Sequence, residues 1–399
     1  MNRIFVSSPA VACAAGCSAD ELWNSVASGN QSGIKKVKTI SGEEFFAARI
    51  DSSRLHKSSA RFDMRILQIE ELALNQLAEK IEKAKSRYGS GRIAVCAGSC
   101  DNGTELSIAA HRSYFSQGKF PSDYELEMQG ADFPADFVSQ KFGLNGISAA
   151  FSTACSSSAG ALIKAAQILK CGAADAVVAG GADIASDTVL LGFHSLEAVS
   201  PQITNPFSKN RCGITLGEAA SFFILTREPL DEDEPPVELL GYGESADAHH
   251  MTHPDPEGKG AELAIRNALK HAAVSPEQIS YINLHGTGTR LNDSMESIAV
   301  SKVFGEQTVP VSSTKPVTGH TLGAAGALGA AVCWTAISKN RGKQRCVLPV
   351  HVWDGAEDES LPRLNFISRT SDISGEIKIC MSNSFAFGGA NASIILGIR

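Results

Sequence analysis

The sequence predicts an α/β fold with largely parallel sheets faced by helices, and three observations carry that expectation. Short apolar runs of strand character alternate with helical stretches along the 399 residues. Several of those runs are apolar enough to be buried on both faces. Two segments, "GEAASFFIL" at 217–225 and "GGANASIIL" at 388–396, repeat a Gly-X-Ala turn leading into an apolar strand, which hints at an internal duplication.

Taken in order, strand character is read at 92–99, 175–184, 221–228, 281–286, 309–314, 376–382 and 392–397. Helices are expected at 19–28, 62–86, 106–116, 130–142, 156–171, 258–274, 293–305 and 320–338, the first of them opened by a capping box of Ser18 with Glu21. The acidic, proline-containing "DEDEPP" at 231–236 is the clearest boundary, and it divides the chain into an N-terminal half, 1–235, and a C-terminal half, 236–399.

Composition narrows the class. With 43% hydrophobic and 20% charged residues the chain has the make-up of a soluble globular protein able to bury a large core. A net charge of −7, with no basic stretch interleaved by aromatics, argues against nucleic-acid binding. The ten cysteines show neither disulfide-scaffold density nor zinc spacing, and read as reduced, mostly buried thiols of a cytoplasmic protein. "AAGC" at 14–17 imitates a lipoprotein signal, but Ser7, Ser8 and Pro9 interrupt the apolar segment it would need. The run 319–338 has the length of a membrane span, yet it opens on a histidine and is mostly Gly and Ala, so a buried helix without membrane insertion is expected.

"FSTACSSSAG" at 151–160 sets Cys155 where a strand-like approach, "GISAAFSTA", turns into a helix start. Free N–H groups and the positive end of the helix favour a thiolate there, which would make Cys155 the most reactive thiol of the chain. Small neighbours let a substrate carbonyl approach the backbone, with the cysteine's own N–H as half of an oxyanion hole. Taken alone, such a cysteine is more often a packing residue. "NLHGTGTRLND" at 283–293 places His285 at a strand end, "STKPVTGHTLGAAGA" at 313–327 places Lys315 and His320 around a loop entering a helix, and "SNSFAFGGANAS" at 382–393 is a Gly-rich turn between strands. One such histidine is commonly a satisfied core residue; two in Gly-rich junctions, alongside a helix-starting cysteine, point to catalysis.

"TACSSSAG", "HGTGTRLNDSMES", "KPVTGHTLGAAGA" and "NSFAFGGANAS" resemble, in order and across essentially the whole chain, the four signature segments of the β-ketoacyl-acyl carrier protein synthases with a Cys-His-His site. The resemblance implies the thiolase fold, two similar α/β halves stacked as five layers. It implies that Cys155 takes an acyl group from a carrier-protein thioester and that His285 and His320 donate hydrogen bonds to a malonyl thioester carbonyl during decarboxylation. It implies an oxyanion hole formed by the N–H groups of Cys155 and Phe387, and a Lys315 that orders the cluster and keeps both imidazoles neutral. Thr287 and Thr289 match positions that hydrogen-bond the phosphopantetheine arm, Phe387 a gate over the acyl pocket, and Phe193 a residue of the acyl channel. Asp293 and Glu296 match an acidic pair supporting Lys315 and the loops. No metal and no enzyme-bound cofactor is implied; the substrates ride on the phosphopantetheine of acyl carrier protein. The implied assembly is a dimer, with an identical or a chain-length-factor-like partner.

The chain departs from the common fatty-acid enzymes in three places: Gly329 stands where a supporting glutamate is usual, Cys212 where an aspartate is, and Ala386, expected to stiffen the gate, where a glycine is. These changes resemble the ketosynthase subunits of bacterial aryl polyene pathways more than the housekeeping elongation enzyme. A thiolase would need a second cysteine in the C-terminal Gly-rich turn, which reads "FGG", and condensing enzymes with a Cys-His-Asn site lack the histidine present here as His320. A Cys-His protease would leave Lys315 and the second histidine unexplained. A non-catalytic chain-length subunit would usually have lost the nucleophile. "HHMTH" at 249–253 invites a metal reading but carries no paired acidic ligands.

Overall fold

Residues 3–399, apart from 59 and 102, are described by a computed structural model, and their strand order repeats. In the N-terminal half, β1 (Ala10–Cys13), β2 (Ile93–Gly98), β3 (Ser148–Phe151), β4 (Ala176–Asp183) and β5 (Ala219–Thr226) lie in the order β3-β2-β4-β5-β1. The first three of that order are parallel, and β5 runs against both its neighbours. In the C-terminal half, β6 (Glu238–Ala246), β7 (Tyr281–Asn283), β8 (Pro310–Ser312), β9 (Ile379–Phe385) and β10 (Ala390–Gly397) lie in the order β8-β7-β9-β10-β6 with the same senses. The two Gly-X-Ala segments of the sequence therefore lead into equivalent strands, β5 and β10. A two-residue strand, Phe5–Val6, pairs with both β5 and β6 and joins the two sheets edge to edge.

Among the described residues, eleven helices complete the layers: α1 (Ala19–Ser28), α2 (Arg65–Leu74), α3 (Ala78–Tyr88), α4 (Thr104–Gln117), α5 (Phe133–Phe142), α6 (Ser157–Lys170), α7 (Asp187–Ser195), α8 (Lys259–Ala272), α9 (Arg290–Phe304), α10 (Lys315–Thr318) and α11 (Ala325–Asn340). The side chains of β5 explain the layering. Phe222 and Ile224 point into a core shared with α2, α3 and α5, whereas Phe223 and Leu225 point into a central core shared with α6 and α11. Alternate residues of one strand thus enter two cores, which is why the strand reads as continuously apolar. A third core joins the second sheet to α8 and α9, giving five layers, αβαβα. This is the two-halved thiolase-like arrangement that the resemblance implies.

The central layer is packed at backbone contact. A Cβ on Gly326 of α11 would lie 2.6 Å from the backbone nitrogen of Ala159 in α6, so no larger residue fits there without displacing a helix. The stretch Leu322–Asn340 is long and apolar enough to cross a membrane, but 83% of it is buried between the two sheets.

Local expectations differ in places. The helix expected over 62–86 is two helices, α2 and α3, separated by a 3₁₀ turn at Asn75–Leu77, because the Gln76 side chain turns back to bond both the N–H (3.3 Å) and the carbonyl (2.9 Å) of Val11 in β1. Ser18 accepts the Glu21 N–H as expected, but the Glu21 carboxylate caps the N–H of Cys17. The strand β6 was hidden by Gly241 and Gly243. A Cβ at either would run into the backbone of α8 (2.5 Å from the Ala268 carbonyl, 2.1 Å from that of Ala264), so the glycines mark close helix–sheet approach. The helix α7 was also unread, although Ser186 followed by Asp187 is a sound N-terminal signal; Ser186 Oγ caps Val189 at 3.2 Å.

Candidate active site

The turn that presents Cys155 is built by its small hydroxylic neighbours. Beyond the end of β3 the backbone leaves the extended region, and Ala154 adopts a left-handed φ of 50°. Ser157 Oγ donates to the Ala154 carbonyl at 2.6 Å and accepts the Thr153 N–H at 2.9 Å, while Ser156 Oγ donates to the Thr153 carbonyl at 2.9 Å. These bonds satisfy backbone groups that neither the strand nor the helix can serve. Gly98 of β2 lets the turn settle, since a Cβ there would sit 2.5 Å from Ser158 N.

The same ends of the second sheet supply the other groups. His285 lies two residues beyond β7, His320 between α10 and α11, and Phe387 in the turn between β9 and β10. His320 Nε2 is 3.1 Å from Cys155 Sγ, and the Leu322 N–H donates to His320 Nδ1 at 3.3 Å. Nδ1 is therefore the acceptor nitrogen, and the neutral ring carries its proton on Nε2, facing the sulfur. The His285 ring stands edge-on to that of His320, centroids 5.2 Å apart. Its Nδ1 is buried without a hydrogen-bond partner among the described residues, which leaves the other ring nitrogen to serve the cavity.

The backbone of His285 is clamped from both sides. Glu296 accepts its N–H at 2.8 Å and that of Gly286 at 2.7 Å, and the Lys315 ammonium donates to its carbonyl. Asp293 accepts the N–H groups of Thr287 (3.1 Å), Gly288 (3.2 Å) and Phe207 (2.8 Å), fixing the loop that follows. Both carboxylates are fully buried, so they shape the loop rather than meet solvent.

Burial dominates the electrostatics and corrects one expectation. It pushes the Cys155 thiol up to about 11, outweighing the Lys315 ammonium and the N–H groups of Phe387 and Cys155, which all favour the thiolate. The helix-start position does not yield a resting thiolate; desolvation wins. Burial first, then the nearby Lys315 charge, holds His285 and His320 well below the usual imidazole range. Both rings are neutral, as the resemblance implies, but Lys315 is the smaller of the two causes. Lys315 is itself lowered by burial, against the pull of Glu296.

Cys155, His285 and His320 open into a cavity of about 450 Å³ that Phe193, Thr287, Thr289 and Phe387 also line. Phe193 and Phe387 pack against each other on its wall, ring centroids 5.8 Å apart. Thr287 and Thr289 share a 3.0 Å hydroxyl contact, and Thr289 also caps α9. Lys315 is behind the wall, not among the lining residues. Further lining residues that sequence reasoning missed are Leu196, Ile214, Asp247, Arg290 and Met295. No local pattern marks them, because they come from loops and from α9, whose approach is set by the fold.

The three departures can now be placed. A Cβ on Gly329 would lie 2.4 Å from Ser382 Oγ and 2.9 Å from Asn283 Oδ1, so those polar side chains occupy the space a larger residue would need. Cys212 is exposed on the cavity wall, 3.3 Å from Ser200 Oγ. Ala386 has extended backbone (φ −103°), and the left-handed residues of the turn are Gly388 and Gly389, so the alanine adds no backbone strain. Among the described residues, Cys155, His285 and His320 are the only group of three or more ligand-type side chains close enough to share an ion; the histidines of 249–253 form no such group.

The comparisons with known proteins agree with this geometry. The family model "Beta-ketoacyl synthase, N-terminal domain" matches residues 1–230, and "Beta-ketoacyl synthase, C-terminal domain" matches 237–343. The chain is 31% identical to a 3-oxoacyl-[acyl-carrier-protein] synthase 2 of Vibrio cholerae, over 99% of this chain and 98% of that one. The corresponding protein of Coxiella burnetii is 29% identical over the same shares. Among solved structures, a ketosynthase (ApeO) in complex with its chain length factor (ApeC) from Xenorhabdus doucetiae is 38% identical with a TM-score of 0.91, covering 100% of this chain and 98% of that one. A β-ketoacyl synthase from Burkholderia phymatum gives 26% and 0.85, covering 100% of both chains. The chain belongs to the β-ketoacyl synthase family.

Proposed function

We propose that this chain is a β-ketoacyl-acyl carrier protein synthase, and that Cys155, His285 and His320 do its chemistry. The observation that carries the reading is the convergence of one sulfur and two neutral imidazoles, drawn from both sheets, on one cavity.

Cys155 attacks the acyl thioester of a carrier protein while the Nε2–H of His320 donates to its sulfur; the carbon–sulfur bond to the carrier breaks, and the thiol proton passes to the departing sulfur, so the freed arm leaves as a thiol. The oxyanion formed on the way is met by the N–H groups of Cys155 and Phe387, which lie against the sulfur. A malonyl thioester then loses CO2, with His285 and His320 donating to its carbonyl as charge develops there. The enolate carbon attacks the acyl-Cys155 carbonyl, a carbon–carbon bond forms, the thioester to Cys155 breaks, and the product is a β-ketoacyl carrier thioester. Lys315 is a positioning residue that holds the His285 backbone, and Phe387 with Phe193 gates the acyl pocket. Thr287 and Thr289 bind the phosphopantetheine arm. No metal enters the scheme, since the Leu322 N–H on Nδ1 leaves His320 Nε2 protonated, a donor rather than a ligand.

The halves 1–235 and 236–399 carry the nucleophile and the two histidines respectively. We read the working form as a cytoplasmic dimer with an identical or a chain-length-factor-like subunit. The similarity to a ketosynthase solved with its chain length factor supports the second alternative, and an aryl polyene-type pathway with it. The retained nucleophile and both histidines make this chain the active partner rather than the shaping one. Incubation with acyl and malonyl carrier proteins, followed by mass spectrometry of the carrier-bound product, tests the reading; CO2 release with a two-carbon-longer β-keto product is expected, and hydrolysis alone would refute it.

A further inference from the structure

Asp183 ends β4, is fully buried, and touches no substrate-lining surface, yet it holds a strategic place. Its carboxylate accepts from Ser99 Oγ (3.1 Å) and from the N–H groups of Cys100 (3.0 Å) and Asp101 (2.8 Å), all in the loop after β2, and from the Gly323 N–H (2.6 Å), beyond His320. Each of these loops fixes one reacting group. Cys100 Sγ–H donates to the carbonyl of Ala154, the residue before the nucleophile, at 3.0 Å. Leu322, the residue before Gly323, donates the N–H that sets the His320 tautomer.

Strain makes such holding necessary. Ala154 and Leu322, next to or within two residues of the reacting side chains, both have a left-handed φ of 50° without being glycine. Conformations of that kind persist only where surrounding bonds over-determine them. The packing leaves no slack: a Cβ on Gly323 would lie 2.6 Å from Asp183 Oδ2 and 3.0 Å from Cys100 Sγ. One carboxylate from the first sheet therefore ties a loop of the N-terminal half to the histidine-bearing loop of the C-terminal half.

We infer that Asp183 is a positioning residue for the condensation, holding the Cys155 turn and the His320 loop in mutual register through the Cys100 and Gly323 N–H groups. The inference rests on the roles proposed for Cys155 and His320.

Asp183→Asn keeps size and shape but can accept on one atom only, so either the Gly323 bond on Oδ2 or the Ser99 and Asp101 bonds on Oδ1 are lost, and one of the two Cys100 contacts with them. Expected in the folded variant is a fall in condensation kcat of about 10²-fold with KM for the acyl carrier thioester unchanged. Nitrogen-15 spectra of histidine-labelled protein give a readout independent of turnover: the wild type should show His320 as a single tautomer protonated on Nε2, and the variant a mixture. Gly323→Ala, which crowds the same contact without touching the carboxylate, should give both effects and serves if Asp183→Asn fails to fold. A folded variant with wild-type kcat and a single His320 tautomer would overturn the inference. Lack of condensation by the wild type would instead refute the functional reading, and the spectra alone would then decide whether Asp183 sets the ring.

Discussion

His320 Nε2 lies 3.1 Å from Cys155 Sγ although 165 residues of chain separate them. The contact gives His320 two tasks, donor to the Cys155 sulfur and donor to the malonyl carbonyl, whereas His285 has only the second. His285→Ala should therefore lower decarboxylation by about 10²–10³-fold and leave acyl transfer to Cys155 near wild type. His320→Ala should slow both, the acyl transfer by about 10²–10³-fold. Separate measurement of carbon dioxide release and of acyl-enzyme formation checks the division; the reverse pattern would reassign the rings.

A thiol that titrates near 11 is protonated at neutral pH. Iodoacetamide, which needs the thiolate, should modify the exposed Cys171 and Cys212 before Cys155 at pH 7, and the Cys155 rate should keep rising as pH approaches that value. Peptide mapping over a pH series reads both trends, and early, pH-independent labelling of Cys155 would show a resting thiolate after all.

The Lys315 charge lowers both imidazoles. Removing it in Lys315→Met should raise their values, so protonation of His320 on Nδ1, which breaks the Leu322 N–H bond that holds the ring, sets in at higher pH. The acid limb of the acyl-transfer profile should move upward relative to wild type, along with a fall in kcat from the lost bond to the His285 carbonyl. A profile displaced downward, or not at all, would remove Lys315 from the electrostatics of the site.

Glu70 sits in the core between the first sheet and its outer helices, with both carboxylate oxygens unpartnered among the described residues, and burial alone holds its carboxyl well above 4.5. The folded state thus binds a proton that the unfolded state releases, and stability should fall as pH rises from 4.5 through the folded value. Glu70→Met should flatten that dependence and stabilise the protein at neutral pH by about 1–3 kcal/mol, with activity retained. Urea titrations at pH 5 and pH 8 measure both.

Much of this was legible in the sequence because its causes are local. The apolar run of β5 feeds two cores, so it announces burial on both faces, and the paired Gly-X-Ala segments do mark equivalent strands. The Gly-rich junctions around Cys155, His285 and His320 stand out because tight turns demand small residues. What stayed hidden depends on partners far along the chain. Gln76 breaks a helix by bonding a strand 65 residues away, Gly241 and Gly243 disguise β6 by admitting α8, and Asp183 looks like any strand-ending aspartate until its bonds to residues 99–101 and 323 are seen. The protonation of Cys155 was misjudged for the same reason: helix position is written locally, desolvation is not.

Chelation offers a check on the role of the three converging side chains, whose ligand-type atoms lie within 4.8 Å of one another. With His320 Nε2 protonated, condensation should be unchanged after exhaustive treatment with EDTA or phenanthroline; loss of activity restored by a divalent ion would turn the cluster into a metal centre.

The most direct measurement is the mass of the acyl-enzyme. After brief exposure to an acyl carrier thioester without malonyl donor, intact protein should gain one acyl group, peptide mapping should place it on Cys155, and addition of malonyl carrier protein should discharge it with release of CO2. An acyl group found on another residue, or one on Cys155 that malonyl carrier protein leaves in place, would contradict the account.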